Sequence, residues 1–280
     1  MSPSSFRHRV ECRNPIAIAE SIRIETLSSR VREVIDKAEA FLDLFRQATV
    51  NSEANPFEIF LLAHEARSIL MDVRDGCGEE TEITLPFSTF FLDDFERCYH
   101  GYPWYLPKTK NQFSVTPLIL AAIEGRNDVM SVLLHFSDIN EQPKDSGVTA
   151  LFMALLFGHA KTATMLLDRG AQLRACGRSA LHAAARSGLD DIMTRLVREF
   201  DVQPDVEDVD GATPILYSLQ LPKEKAEATI MRLRQLGASG DLDLVDDWTF
   251  KDIARAMGKE SLTLIFDTEL APEKGHDCSI

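Results

Sequence analysis

The chain has 280 residues, 45% of them hydrophobic, with 44 acids against 30 bases and a formal charge of −14 at neutral pH. That is enough apolar material for a sizeable core and about two domains, and it excludes a disordered chain. The acidic balance argues against nucleic acid and anionic membrane as partners and favours a basic or neutral one. The first predicted helix runs from about Glu25 to Val50, where Val31, Val34, Ile35, Ala38, Phe41, Leu42 and Phe45 recur at helical spacing. A second starts at the helix-opening pair Asn55-Pro56, and DVRDGCGEETE (Asp72 to Glu82) reads as an acidic, glycine-bearing loop. A third follows Leu85-Pro86 and carries Phe87, Phe90, Phe91, Leu92 and Phe95. The segment CYHGYPWYLP then concentrates aromatic side chains with polar tips, and Pro107 and KTKNQ end this grammar near Asn111.

From there a block recurs: TPLILAAIEG at Thr116, TALFMALLFG at Thr149, SALHAAARSG at Ser179 and TPILYSLQLP at Thr213, in steps of 33, 30 and 34 residues. Such a period belongs to stacked helical hairpins, each unable to bury its apolar face alone. Each block is followed by a second apolar run, and the first, second and fourth reach Leu134, then Leu167 with Gly170-Ala171, then Leu236 with Gly237-Ala238. Gly125, Gly158 and Gly188 stand where the first helix must end in a tight turn. The fourth block has Pro222 in place of that glycine, and DDWTFKDIARAMGKESLTLIF, with Thr249 another 36 residues on, reads as a polar closing repeat.

These residues resemble the ankyrin repeat, whose core pattern is TPLHxAAxxG followed by a second helix ending in LL and then GA. The resemblance covers about Phe113 to Phe266. It implies an ankyrin-repeat solenoid over 111–268 with four repeats and a degenerate capping repeat; with the helical periodicity ahead of it, read as an N-terminal helical domain over 1–110, and a flexible tail over 269–280, the expected fold is all-α. It also implies that His182, in the TPLH position, and His159, in the GH position, tie neighbouring loops together rather than act chemically.

The cysteines, Cys12, Cys77, Cys98, Cys176 and Cys278, are odd in number and widely spaced, so neither a disulfide framework nor a zinc site is expected. Reduced thiols in the cytoplasm, or in the nucleus, are the simple reading. No leader and no run of about 18 apolar residues stands out, so a soluble chain is expected. Asp93-Asp94-Phe95-Glu96 resembles an aspartate-rich magnesium box, but the Asn127 to Leu134 stretch that would complete it is what the repeat pattern itself demands. No metal and no cofactor is therefore expected.

The expected function is that of an intracellular adaptor binding a protein through a concave face and acidic loops, or fingers. The repeat pattern assigns Phe113, Ile123, Leu156 and Phe157 to that face in the first two repeats and Arg178, Arg186, Asp208 and Asp210 in the later ones. An apolar first half implies a cover, for which the stretch from Phe87 to Tyr105 is the nearest candidate. Two acid runs, Glu199 to Asp210 and Asp241 to Asp247, fall on the fingers. The alternative is a metal-independent isomerase or cyclase holding a hydrophobic small molecule between the helical domain and the first repeats. Trp104 and Tyr105 would shape that pocket, and His100, Tyr102 and Asp94 would move protons.

Overall fold

The computed structural model describes residues 29–50, 56–85, 112–143, 146–239 and 249–267. The stretch Phe87 to Tyr105, the acids from Asp241 to Asp247 and the tail over 269–280 lie outside them. Packing divides the described residues into two compact units, one ending at Ala180 and the other beginning at Leu181.

The first unit opens with helices α1 (Ser29–Val50) and α2 (Pro56–Gly76), which pack on each other, and strand β1 (Thr81–Thr84). Val31, Val34, Ile35 and Ala38 of α1 are buried, as the helical spacing requires, and Val73 and Cys77 meet them from the end of α2. No side chain fits at Gly76, because a Cβ there would lie 2.3 Å from Val34 Cγ2. The acidic stretch expected as a loop is only partly one: α2 continues to Gly76, and the chain is extended again from Thr81. β1 pairs antiparallel with β2 (Gln112–Val115), setting Ile83 opposite Phe113 and Thr81 opposite Val115. Period-two alternation buries Thr81, Ile83 and Leu85 while Glu82 faces water.

The repeats then follow from local chemistry. In α3 (Pro117–Ile123), Thr116 is an extended N-cap whose Oγ1 accepts the Ile119 amide at 3.3 Å, and Pro117 takes the first helical position, where it loses no hydrogen bond. Thr149 caps α5 (Ala150–Leu156) in the same way through the Phe152 amide. After α3 the chain reverses at Gly125, with φ +67, its amide bonded to Ala122 O and that of Arg126 to Ala121 O. This is the left-handed helix stop that glycine tolerates best. A Cβ at Gly125 would also sit 2.6 Å from the ring of His159. The second helices, α4 (Asn127–Leu133) and α6 (Ala160–Asp168), pack on each other and are tied by Thr162 Oγ1 donating to Asn127 Oδ1 at 2.7 Å. A two-residue hairpin, β3 (Arg174–Ala175) to β4 (Arg178–Ser179), closes the unit.

The region expected as a separate domain over 1–110 does not stand apart where it is described. Helix α1 packs against α3 and α4, occupying the place that a preceding repeat would fill. Arg32 forks onto Glu124 at 2.5 and 3.1 Å, Arg126 reaches Glu39 at 2.6 Å, and Arg46 reaches Asp128 at 2.7 Å. The open end of the array is closed by this helix, an end that a solenoid must cover.

The second unit comprises α7 (Ala180–Ser187, from Leu181 onward), α8 (Asp190–Arg198), α9 (Pro214–Ser218), α10 (Lys223–Gln235), α11 (Phe250–Ala256) and a 3-10 helix (Glu260–Asp267). The capping box at Thr249 and Asp252 gives the closing repeat a proper helix start. Where the fourth repeat lacks its turn glycine, α9 is only five residues long and Pro222 caps α10. The carbonyls this leaves open, those of Leu219 and Leu221, accept hydrogen bonds from Lys259 Nζ. The same device recurs one repeat earlier, where Lys225 Nζ donates to Ser187 O at 2.6 Å. In the first unit His159 Nε2 donates to Ile123 O at 2.7 Å, as expected of a loop tie.

Candidate functional site

Of the residues expected to contact a ligand, Asp94, His100, Tyr102, Trp104 and Tyr105 lie outside the described residues. Phe113, Ile123, Leu156, Phe157 and Arg178 are buried, with exposures from 0 to 7%. The repeat register aimed them at an open groove, but they are interior side chains. Ile123 belongs to α3, onto which α1 packs, and Phe113 belongs to β2, which β1 covers as a paired strand. On the sides of Ile123 and Phe113, α1 and β1 thus supply cover from the chain's own N-terminal part. Arg178 donates to Cys176 O at 2.7 Å, and Arg186 is half-buried at the end of α7.

The first of the two acid runs, on the finger between α8 and α9, is where polar groups converge. Of its acids, Glu199 pairs with Arg195 at 2.7 Å. Asp205 accepts the Ser239 amide on both oxygens, at 3.0 and 2.8 Å, and burial pushes its carboxyl above the ordinary value against the pull of that bond. Asp208 is 8% exposed, so the expectation that it faces a partner fails. Its Oδ1 accepts the amides of Asp210 at 2.9 Å and Ala212 at 2.8 Å, and its Oδ2 accepts the Tyr217 hydroxyl at 2.6 Å. A short carboxylate side chain bonding backbone two and four residues on is the usual builder of such a turn. The Asp208 amide returns a bond to Ala212 O, and Gly211 completes the reversal at φ +78. His182 Nε2 donates to that same carbonyl at 3.0 Å and packs edge-on against Tyr217, with ring centroids 5.0 Å apart. His182 therefore ties loops, as its place in the pattern predicted.

What this network leaves facing outward is the fingertip: Glu207 is exposed, Val209 is 67% exposed, and Asp210 is half-buried. A rigid turn holding one apolar side chain between two carboxylates suits recognition of a cationic surface. Val209 carried no signal in the sequence beyond its place in the acid run. The inward role of Asp208 was legible only as an Asp five residues before a block start.

In the first unit, Cys176 and Gly177, at φ 44 and 74, form the tight turn between β3 and β4, the conformation favoured for two-residue hairpins. Arg174 beside it is exposed. Deeper, Thr116 Oγ1 donates to the carboxylate of Glu141, whose burial raises its pKa despite that bond. A carboxyl that holds its proton more tightly when folded contributes stability that is complete below the unfolded value, near 4.3, and is lost as pH rises through the folded value. Glu141→Gln, which keeps the acceptor without the charge, is expected to melt above the wild type at pH 7, with the gap closing toward pH 4. Circular dichroism melts across that range check this, and equal melting temperatures at pH 7 would refute it.

Among the described residues no three His, Cys, Asp or Glu side chains converge as a metal set, and no helix is long and apolar enough to cross a membrane.

Residues 100–175 match the family model described as ankyrin repeats in three copies, and residues 176–209 match that of a single ankyrin repeat. Among curated proteins the chain is similar to neurogenic locus notch homolog protein 2 of Homo sapiens, 26% identical over 151 residues, covering 47% of this chain and 6% of that protein. The Mus musculus protein gives the same figures. Alpha-latrotoxin-Lh1a of Latrodectus hasselti is 30% identical over 120 residues, 41% of this chain and 9% of the toxin. The chain thus spans under a tenth of the length of these relatives. With the capped helix pairs, glycine turns and loop-tying histidines already described, these matches show that residues 100–209 carry ankyrin repeats.

Proposed function

We propose that this chain is an adaptor that grips a Lys- or Arg-bearing protein segment with the fingertip Glu207-Val209-Asp210. Ankyrin repeats are protein-interaction modules, which sets the class of function. The observation that supports this site is the fixed turn: Asp208 spends its carboxylate inside the finger, so Val209 stands 67% exposed between two acids with no loop ordering left to oppose binding. The chain's charge of −14 favours the approach of a cationic partner.

Capture with the intact chain and mass spectrometry identifies the partner, and titration then measures it. Glu207→Lys combined with Asp210→Lys is expected to weaken that partner about tenfold or more, ~1.4 kcal/mol, and to flatten the fall of affinity with salt. Val209→Ser, which removes the apolar contact and adds no charge, should lose affinity without changing the salt slope. If the double reversal binds the partner as the wild type does, at low and at high salt, the fingertip is not the site.

A further inference from the structure

Helix α2 is apolar on two opposite faces. One packs on α1 through Leu62, Ala66, Ile69, Leu70 and Val73. The other carries Phe57, Leu61, His64, Ser68 and Met71 at alternating steps of four and three residues, the spacing of a helix-pairing seam. That seam faces outward: Phe57 is 68% exposed, Leu61 51% and Met71 46%, and His64 and Ser68 are exposed as well. Phe60 stands at its edge, 64% exposed. A helix that needed only to cover α1 would be polar on this side.

We propose that this face pairs in parallel with α2 of a second copy of the chain. The edges of the seam carry the argument. Glu58, Glu65 and Asp72 recur every seven residues along one edge, and Arg67 and Arg74 recur every seven along the other. In a parallel two-stranded pairing the basic edge of each helix meets the acidic edge of its partner, so Arg67 faces Asp72 of the other copy, twice by symmetry. Antiparallel pairing sets acid against acid and base against base. The pattern is therefore complementary to itself in one orientation only. Asp72 is already held in place by Lys37 of α1 at 3.2 Å, which fixes the acidic edge before the second copy arrives. The seam is about two and a half heptads long, with a His and a Ser inside it, so the expected dimer is weak, with a dissociation constant of tens of micromolar. The net charge of −14 opposes association, but at 0.15 M salt charges more than about 8 Å apart are largely screened. This pairing is independent of the fingertip and stands whether or not that reading does.

The full chain is examined by light scattering and sedimentation at about 10 to 300 µM. The wild type is expected to pass from monomer to dimer over that range, and Leu61→Glu to remain monomeric with an unchanged melting curve. Arg67→Asp alone and Asp72→Arg alone should each lose the dimer at least tenfold, yet an equimolar mixture of these two variants should dimerise, because each then meets its opposite. Ser68→Cys places two thiols face to face in the parallel pairing, and mild oxidation should cross-link it faster than the wild type. A wild type that stays monomeric at 300 µM, a mixture no more dimeric than its components, or a Ser68→Cys chain that cross-links no faster than the wild type each overturns the proposal.

Discussion

Arg32→Leu is expected to destabilise the first unit by about 3 kcal/mol, the loss typical of breaking a desolvated ion pair from one side. The guanidinium forks onto Glu124 at 2.5 and 3.1 Å, and the Glu124 side chain is only 3% exposed. Removing Arg32 takes away the forked partner of that buried carboxylate, and among the described residues Arg126, 3.7 Å away, is the other cation beside it. Arg126 is itself engaged with Glu39. Glu124 ends α3 and Arg32 lies on α1, so the pair clamps the covering helix to the first repeat. Hydrogen exchange of the α3 and α4 amides, with urea titration, reads the effect where it arises. Removing both charges in Arg32→Leu with Glu124→Leu should recover most of the loss, because no buried charge is stranded. Arg46→Ala, whose bridge to Asp128 is more than half exposed on both sides, should change stability by under about 1 kcal/mol. Equal losses for Arg32→Leu and Arg46→Ala would show that burial of Glu124 does not matter.

The parts of the fold that were legible in the sequence are those fixed by local chemistry. A Thr N-cap, a Pro at the first helical position and a Gly at positive φ each act within four residues, so Thr116, Pro117 and Gly125 could be read in place. The fourth repeat shows the limit of this. Its missing glycine was visible, but the remedy was not, since Lys259 reaches back across about 40 residues to the open carbonyls. Strand β1 was missed because TEIT, behind a glycine-bearing acidic stretch, has little strand character of its own. It is extended because Ile83 finds Phe113 opposite it. The open groove was misread for a related reason. Register tells which way Ile123 points, whereas its burial depends on what packs there, and α1 as a stand-in for a preceding repeat is a tertiary fact.

The acid run makes the same point about the site. In the sequence Asp205, Glu207, Asp208 and Asp210 look interchangeable, four carboxylates on one finger. The structure gives them different work: Asp205 binds the Ser239 amide, Asp208 builds the turn, and Glu207 with Asp210 flanks the tip. Reversing all four together would confuse loss of the finger with loss of its charge. The informative substitutions are those that separate the two.

Asp208→Ala is expected to be the most damaging single change in the second unit, at about 3 kcal/mol. It removes the acceptor of the Ala212 amide and of the Tyr217 hydroxyl, on a side chain 1% exposed, and a buried donor that loses its acceptor costs roughly 1–3 kcal/mol. The Asp210 amide adds less, since a half-buried group can turn to water. Asp208→Asn should lose only about 1 kcal/mol: its oxygen can still accept the Ala212 amide, and its NH2 can donate to the Tyr217 oxygen, which accepts as readily as it donates. Tyr217→Phe in the Asp208→Ala background should then cost little, because the orphaned hydroxyl is already lost. Urea titrations of the wild type, Asp208→Ala, Tyr217→Phe and the double variant give the cycle. Below their melting points the same proteins separate shape from charge. Asp208→Ala keeps Glu207 and Asp210 but frees the turn, so it should weaken the captured partner while leaving the salt slope intact, whereas Glu207→Lys with Asp210→Lys weakens it and flattens the slope. If Asp208→Ala is as stable as Asp208→Asn, the carboxylate does not hold the finger, and the fixed turn on which the binding proposal leans is gone.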